Sequence, residues 1–577
     1  MVAHSFGKTA TFMAKPIEGR IADGEALMRR IGTASIAGWI FLFEKRINTI
    51  LHKLTTFFDL YLWKTQTTDV CITFAFMSGI IAKNSFWASI VNYSGSLVGL
   101  FTTFYLFPLV FTTSENGVFR LFIEMGALLA GVAQLGTGYS IWKFFPRFKN
   151  ENGHNGVGFW LLLIPSIGFL LVAVILLIGQ SWVVAYLGKN SSDFLPYYRW
   201  LIPFVFFFVF NTVFEIFSAS LGKIVFASFL RENVVRILLG LLGWLYYIGK
   251  VDFGQTMHSI AAVYAVVMVL NFWFVVKNTK LSFKPDMTFI HGQEGLKPEF
   301  YRYTGYLFLT YVAMLVLQRM DFLMVSSMKG SAQTGIYAIA VNIAVLIEIP
   351  TRSILQIANP KLSEAIHNGD QAEIERLYQK TSLNQFILGA LALLLVWVNI
   401  DLLFHWMPNG HLYVAGKWAV FYLGVGKLCV LLQGNSAAML IFSKRYYLSL
   451  ILNFCSIVVG ILMNQWLIPI MGIDGAAIAT GCVWLASGIV MAILIWLVYK
   501  MQPITAHVIY SILLFGAVFG INYVWTADIN QLFMTSIVKS IVLVGGALAV
   551  ILYFRLSEDV HSMVKKVLRP IGIKLND

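Results

Sequence analysis

The residues with chemistry to offer are charges set inside long apolar runs. Arg120 and Glu124 lie four apart, as do Glu348 and Arg352, so each pair shares a helix face. Arg319 and Asp321 are two apart and point to different sides of a helix. Glu215, Lys427 and Lys539 stand alone in their runs. A charge at such a place is costly in lipid and faces either a partner or a wet cavity. The cations Arg319, Lys427, Arg120 and Lys539 are therefore candidates for holding an anionic substrate. The acids Glu124, Glu215, Asp321 and Glu348 are candidates for carrying a coupling ion. Other roles remain open for several of them: structural ion pairs for the two i,i+4 pairs, and snorkelling to the outer interface for Lys539. Lys427 has no opposite charge within a turn and lies deep in its run, which makes it the leading cavity cation.

Those charges need helices to hold them. Fourteen apolar stretches, each long enough to cross a bilayer, fall at about 86–110, 117–143, 157–184, 197–221, 233–249, 255–276, 303–327, 335–356, 382–404, 413–441, 446–469, 475–499, 504–525 and 532–554. Lys and Arg crowd every second gap, 23 on one side against 4 on the other. The positive side is cytoplasmic, and an even number of spans puts both ends of the bundle there. Composition agrees: 58% of the 577 residues are hydrophobic, only 12% are charged, and mean hydropathy is +0.75. The net charge of +14 reads as topology anchoring. No nucleic-acid motif accompanies it, and no nucleic-acid partner is expected.

An internal repeat divides the spans. Gly117 and Gly335 open spans two and eight, an offset of 218 (335 − 117). Pro146 and Pro360 follow the same two spans, 214 apart (360 − 146), and Gly254 and Gly475 open spans six and twelve, 221 apart (475 − 254). An offset of six spans preserves orientation, so this is a parallel repeat about an axis along the membrane normal. The expected fold is an all-α membrane protein with about 14 transmembrane helices: two six-helix lobes plus two C-terminal helices. The expected boundaries are an N-terminal cytoplasmic or interfacial extension at 1–82, an N-lobe at 83–276, a cytoplasmic linker at 277–302, a C-lobe at 303–500, helices 13 and 14 at 501–555, and a basic tail at 556–577. Met77 is a plausible functional start, with the preceding residues dispensable. The polar segment 359–380 reads as an amphipathic helix pair at the inner interface.

No catalytic constellation is present: HExxH, GxGxxG, GxxxxGK[ST] and GxSxG are all missing. The four cysteines form no CxxC pair, and His405 and His411 read as interfacial polar residues. Neither an enzyme, a metal site nor a cofactor is expected.

The stretches Gln318 to Ser326, Thr334 to Ala340, Ile349-Pro350, Asn359 to Ser363 and Asp474 to Thr480 resemble the multidrug/oligosaccharidyl-lipid/polysaccharide exporter superfamily, and within it the Wzx-type polysaccharide flippases. The resemblance covers about residues 83–555. It implies a flippase that moves a polyprenyl-diphosphate-linked oligosaccharide (an O-antigen, capsule or exopolysaccharide unit) across a bacterial inner membrane by alternating access. It further implies a cationic cavity, coupling to H+ or Na+, and contact with membrane lipid and with polymerase or ligase machinery. A drug/cation antiporter and a lipid II flippase of the same superfamily are the alternatives. An acidic, aromatic cavity would mark the antiporter.

Overall fold

Some helix starts are written locally. Thr112 accepts from the Glu115 amide at 3.2 Å while the Glu115 carboxylate accepts from the Thr112 amide at 2.9 Å. This capping box satisfies two of the donors that a helix N-terminus leaves free. Asp252 and Gln255 repeat it at the start of the sixth helix. In the computed structural model, residues 80–138, 157–279 without Gly222, 296–525 without Lys444 and Tyr446, and 532–568 are described. The expected N-terminal extension with Met77, most of the inter-lobe linker, the Pro146 repeat anchor and the last residues of the tail lie outside them. Residues 84–577 form one compact unit, which holds both lobes.

The described chain is helical throughout. Helix α1 runs Ile80–Phe101, continues through a π-turn at Thr102–Leu106 and ends at Phe107–Val110. It is followed by α2 (Thr113–Ala133), α3 (Val157–Ile178), α4 (Leu201–Ser220), α5 (Ile224–Phe229, a π-turn at Leu230–Val234, then Val235–Tyr247) and α6 (Phe253–Asn278). The second half holds α7 (Leu296–Lys329), α8 (Ser331–Val345, a 3-10 turn at Leu346–Glu348, then Ile349–Asn368), α9 (Gln371–Val398), α10 (Lys417–Leu431, with a separate inner piece Ser436–Phe442), α11 (Tyr447–Met471) and α12 (Ile473–Tyr499). Then come α13 (Ala506–Val524), α14 (Leu532–Lys539, a π-turn at Ser540–Val544, Gly545–Tyr553) and a tail helix α15 (Glu558–Leu568). Among the described residues, thirteen helices are long and apolar enough to cross a membrane. The chain is a multi-pass membrane protein.

Three expectations change in detail. The fifth span begins near residue 224, not 233, so Arg231 and Arg236 are charges within α5 and not loop anchors. Those charges, with Glu232, keep α5 out of the thirteen. Segment 359–380 is not a separate interfacial pair. It is the inward continuation of α8 and α9, joined where Gly369 turns at φ 72°. Residues 296–302 are helical and continuous with α7.

Each half has its own core. Phe122, Phe204, Phe217 and Met257 are sealed in the first, and Tyr337, Ile343, Tyr413 and Ile468 in the second. Helices α13 and α14 dock on α9 through Phe386, Phe515, Leu543 and Ile551.

The two halves meet along α2, α7 and α8. A Cβ on Gly117 would lie 1.8 Å from the Ser331 carbonyl oxygen, and one on Gly335 would lie 2.1 Å from that of Thr113. The offset from Thr113 to Ser331 (331 − 113) equals that between the two glycines. The contact is therefore reciprocal, as a two-fold axis between the repeats requires. Polar groups reinforce it at the outer ends, those opposite the basic gaps. Asp193 accepts from Ser114 at 2.5 Å and from Ser331 at 2.6 Å. Ser191 donates to the Ser326 carbonyl at 2.7 Å, and Asn190 to that of Ser327 at 2.6 Å. Asn409 reaches the Pro108 carbonyl at 2.9 Å. These contacts join the two lobes at the ends opposite the basic gaps.

Candidate functional site: a charged cluster between the lobes

One charge cluster is built by helices from both lobes. Arg120 and Glu124 on α2 are paired at 2.6 Å (Nη2 to Oε1). The other carboxylate oxygen of Glu124 takes the Arg319 guanidinium from α7. At 1.5 Å per residue, Glu124 lies about 16 Å below the outer end of α2 and Arg319 about 15 Å below that of α7. Both are thus near mid-membrane. The Glu124 side chain is 8% exposed, against 29% and 23% for the two arginines. The acid is sealed and the cations open partway. Two arginines share one carboxylate directly, and Asp321 is a second acid close enough to act on both. Both Nε atoms, of Arg120 and of Arg319, are buried with no hydrogen-bond partner in the protein. An arginine fork presents five donors suited to carboxylate or phosphate, so these two can accept a further anion. Arg120 also sits over the Phe322 ring, 5.5 Å from its centroid.

A second cluster lies within the C-lobe. Lys427 of α10 donates to Glu348 of α8 at 2.5 Å and stands over the Trp484 ring at 4.4 Å. The partner absent from its own helix is thus supplied by another. Glu348 ends the 3-10 turn that interrupts α8, just before Pro350, so the break aims its carboxylate at α10. Arg352 is 3.8 Å from the same carboxylate and 61% exposed. Its pairing is loose and its charge is available.

Asp321 is buried, as its neighbour Arg319 is not. It accepts from the Tyr337 hydroxyl at 2.7 Å and from the Phe322 amide at 2.9 Å. Asn464 of α11 is wholly buried, with neither end of its amide bonded. It lies one turn outward of Gly460, whose added Cβ would meet Met320 at 2.0 Å and Val483 at 3.6 Å.

The remaining candidates stand apart. Glu215 of α4 pairs with Arg231 of α5. Arg231 also binds Glu232 at 2.9 Å, and Glu232 binds Arg236 at 2.8 Å. Arg236 donates to the Gly95 carbonyl of α1, and Asn233 donates to that of Val91 at 3.0 Å. This neutral network ties α1 to α4 and α5. Lys539 reaches the Trp525 carbonyl at 3.4 Å, at the outer end of α14, and does not join either cluster. Tyr337, Trp484 and Asn464 were not singled out from sequence. The first two are aromatic residues among many, and only their three-dimensional neighbours distinguish them.

No family model and no curated protein matches the chain. Solved structures do. The chain is similar to a lipid II flippase MurJ in an inward closed conformation, at 12% identity over 82% of this chain and 99% of that one, with a TM-score of 0.64. An inward-facing multidrug resistance MATE family transporter of the MOP superfamily aligns at 15% identity over 71% of this chain and 98% of that one, with a TM-score of 0.55. A MOP superfamily transporter from Pyrococcus furiosus, described as having a binding pocket of reverse polarity, aligns at 15% identity over 73% and 95%, with a TM-score of 0.51. At such identities the likeness establishes the fold, which is that of MOP-superfamily transporters.

Proposed function

We propose that this protein is a flippase that carries a polyprenyl-diphosphate-linked glycan across a bacterial inner membrane, from the cytoplasmic to the outer leaflet. The observation that carries this reading is the cluster of Arg120, Glu124 and Arg319. It sets two arginines on a single shared carboxylate near mid-membrane, lies between two lobes, and offers unpartnered guanidinium donors. A diphosphate is the part of such a lipid that these donors suit. The lipid chain would stay in the membrane while the charged head crosses between the lobes. A cationic drug gains nothing from this cluster, which weighs against the antiporter reading.

The inter-lobe contacts at the outer ends and the reciprocal glycine contact support an alternating-access cycle in which this state loads from the cytoplasm. The basic gaps support a topology with both ends of the bundle on that side. Asp321 is the acid best suited to couple H+ or Na+ entry, being buried, bonded by only two donors, and close to the inter-lobe helices. The polysaccharide repeat unit is the cargo read from the sequence, with polymerase or ligase machinery downstream. The lipid II of peptidoglycan synthesis carries the same diphosphate and is the second reading, favoured by the likeness in fold to a lipid II flippase.

Replacing Arg319 or Lys427 by Gln, in a bacterial strain lacking its own exporter, tests the reading. Surface display of the glycan should fall at least tenfold while the protein still inserts at normal levels. Undiminished display by both variants would refute the site.

A further inference from the structure

Helix α10 is built in two pieces, with a break at the inner end of its membrane-spanning part. Its first part ends at Leu431, residues 432–435 form an unwound turn with Gly434 at φ 55°, and the chain resumes as Ser436–Phe442. Irregular backbone at this depth persists only where protein or water satisfies it. Helix α9 supplies part of that. Ser382 donates to the Leu432 carbonyl at 2.6 Å, and Thr381 Oγ1 lies 3.1 Å from the Asn435 amide oxygen. A Cβ on Gly434 would stand 2.8 Å from the Ser382 nitrogen, so no side chain fills the turn.

The amides of Gln433, Gly434 and Ser436 are taken by backbone carbonyls, and it is side chains around the turn that lack partners. Tyr378 Oη, Gln385 Nε2, Asn435 Nδ2 and Ser436 Oγ are all buried without a partner. Their residues are 0%, 2%, 2% and 1% exposed. Tyr378, Thr381, Ser382 and Gln385 are spaced three, one and three apart, which puts them on one face of α9, the face that meets the turn. Among the described residues fifteen buried side-chain polar atoms lack a partner, and four of them belong to the turn, to the residue that follows it and to this face of α9.

Their chemistry says what they would bind. The two hydroxyls both donate and accept. The Thr381 hydroxyl has one proton, and the Leu377 carbonyl at 2.7 Å is its shorter acceptor. A longer contact is to the Asn435 amide oxygen at 3.1 Å, which leaves the Asn435 amide nitrogen unpartnered. None of these groups is a carboxylate, lysine or arginine. A neutral set of mixed donors and acceptors suits water, which makes about three hydrogen bonds at a buried site, better than it suits a metal ion or an anion.

We propose that a cluster of ordered waters hydrates this turn and makes the break in α10 a wet joint. The outer piece carries Lys427. The inner piece is fixed in a separate inward core, where Met439 and Leu440 pack with Ile374, Leu377 and Leu452. Water lets the outer piece tilt, making or releasing the Lys427–Glu348 contact, without disturbing that core.

The test uses the full chain in lipid nanodiscs and does not depend on transport. A hydrated site makes Tyr378→Phe and Gln385→Met lose a water contact, so both should lower the melting temperature. In a dry site the same changes relieve an unsatisfied polar group and leave the melting temperature unchanged or raised, which overturns the proposal. Hydrogen exchange gives an independent reading. Amides 431–437 should exchange at least tenfold faster than amides 420–428 of the same helix, and equal protection would also overturn it.

Discussion

Glu124 serves two arginines at once, and that arrangement makes opposite predictions for its members. Replacing Glu124 by Gln frees both guanidinium groups. Binding of a lipid diphosphate should tighten about threefold, and the melting temperature should fall because two half-buried cations lose their shared anion. Replacing Arg319 by Ala removes a charge-assisted contact of about 1.5–3 kcal/mol, so binding should weaken about tenfold or more. Scintillation proximity or microscale thermophoresis on the purified variants measures both. Asp321→Asn keeps an acceptor for Tyr337 but abolishes the charge. Transport driven by an imposed ion gradient should be lost, with substrate exchange at equilibrium retained. The charges themselves were legible in the sequence, because an ionised residue inside an apolar run has few explanations. Their partners were not. Arg319 meets Glu124 from the opposite lobe, and Lys427 of α10 meets Glu348 of α8. No local spacing encodes either meeting.

The glycines of α2 and α8 act at the scale of the helix pair. Gly117 and Gly335 were readable as anchors of a repeat, and the structure makes them the point where the repeats touch. A side chain at either position collides with a carbonyl of the other helix only while these outer ends are joined. Gly117→Val should therefore bias the protein toward an outward-open state. A cysteine placed at Ser331 would report this as faster labelling by an impermeant thiol reagent, with no change expected if the contact is incidental. The boundaries of α5 were less legible. Apolar residues from Ile224 to Leu230 precede Arg231, Glu232 and Arg236, and charges so placed read as the end of a loop. In the fold they bond to Glu215 and to the α1 backbone, which lowers the cost of holding them within a helix. The inward continuations of α8 and α9 were misjudged for a related reason: their exposed charges and buried Leu362, Ile374 and Tyr378 look like an interfacial helix until the inward core they cover is seen.

For the whole molecule, hydrophobic length, charge alternation and an even repeat were enough to reach a two-lobed transporter fold, since each follows from the bilayer and not from family detail. Which chemistry the lobes act on depends on the few charges near mid-membrane. The most direct measurement reconstitutes the protein in liposomes with a fluorescent polyprenyl-diphosphate-linked sugar and follows its appearance in the opposite leaflet. Intact protein should move the lipid, the Arg120→Ala/Arg319→Ala protein should do so at least tenfold more slowly, and inserted amounts should be equal. Equal rates for the two proteins, or movement of a cationic drug in place of the lipid, would contradict the account.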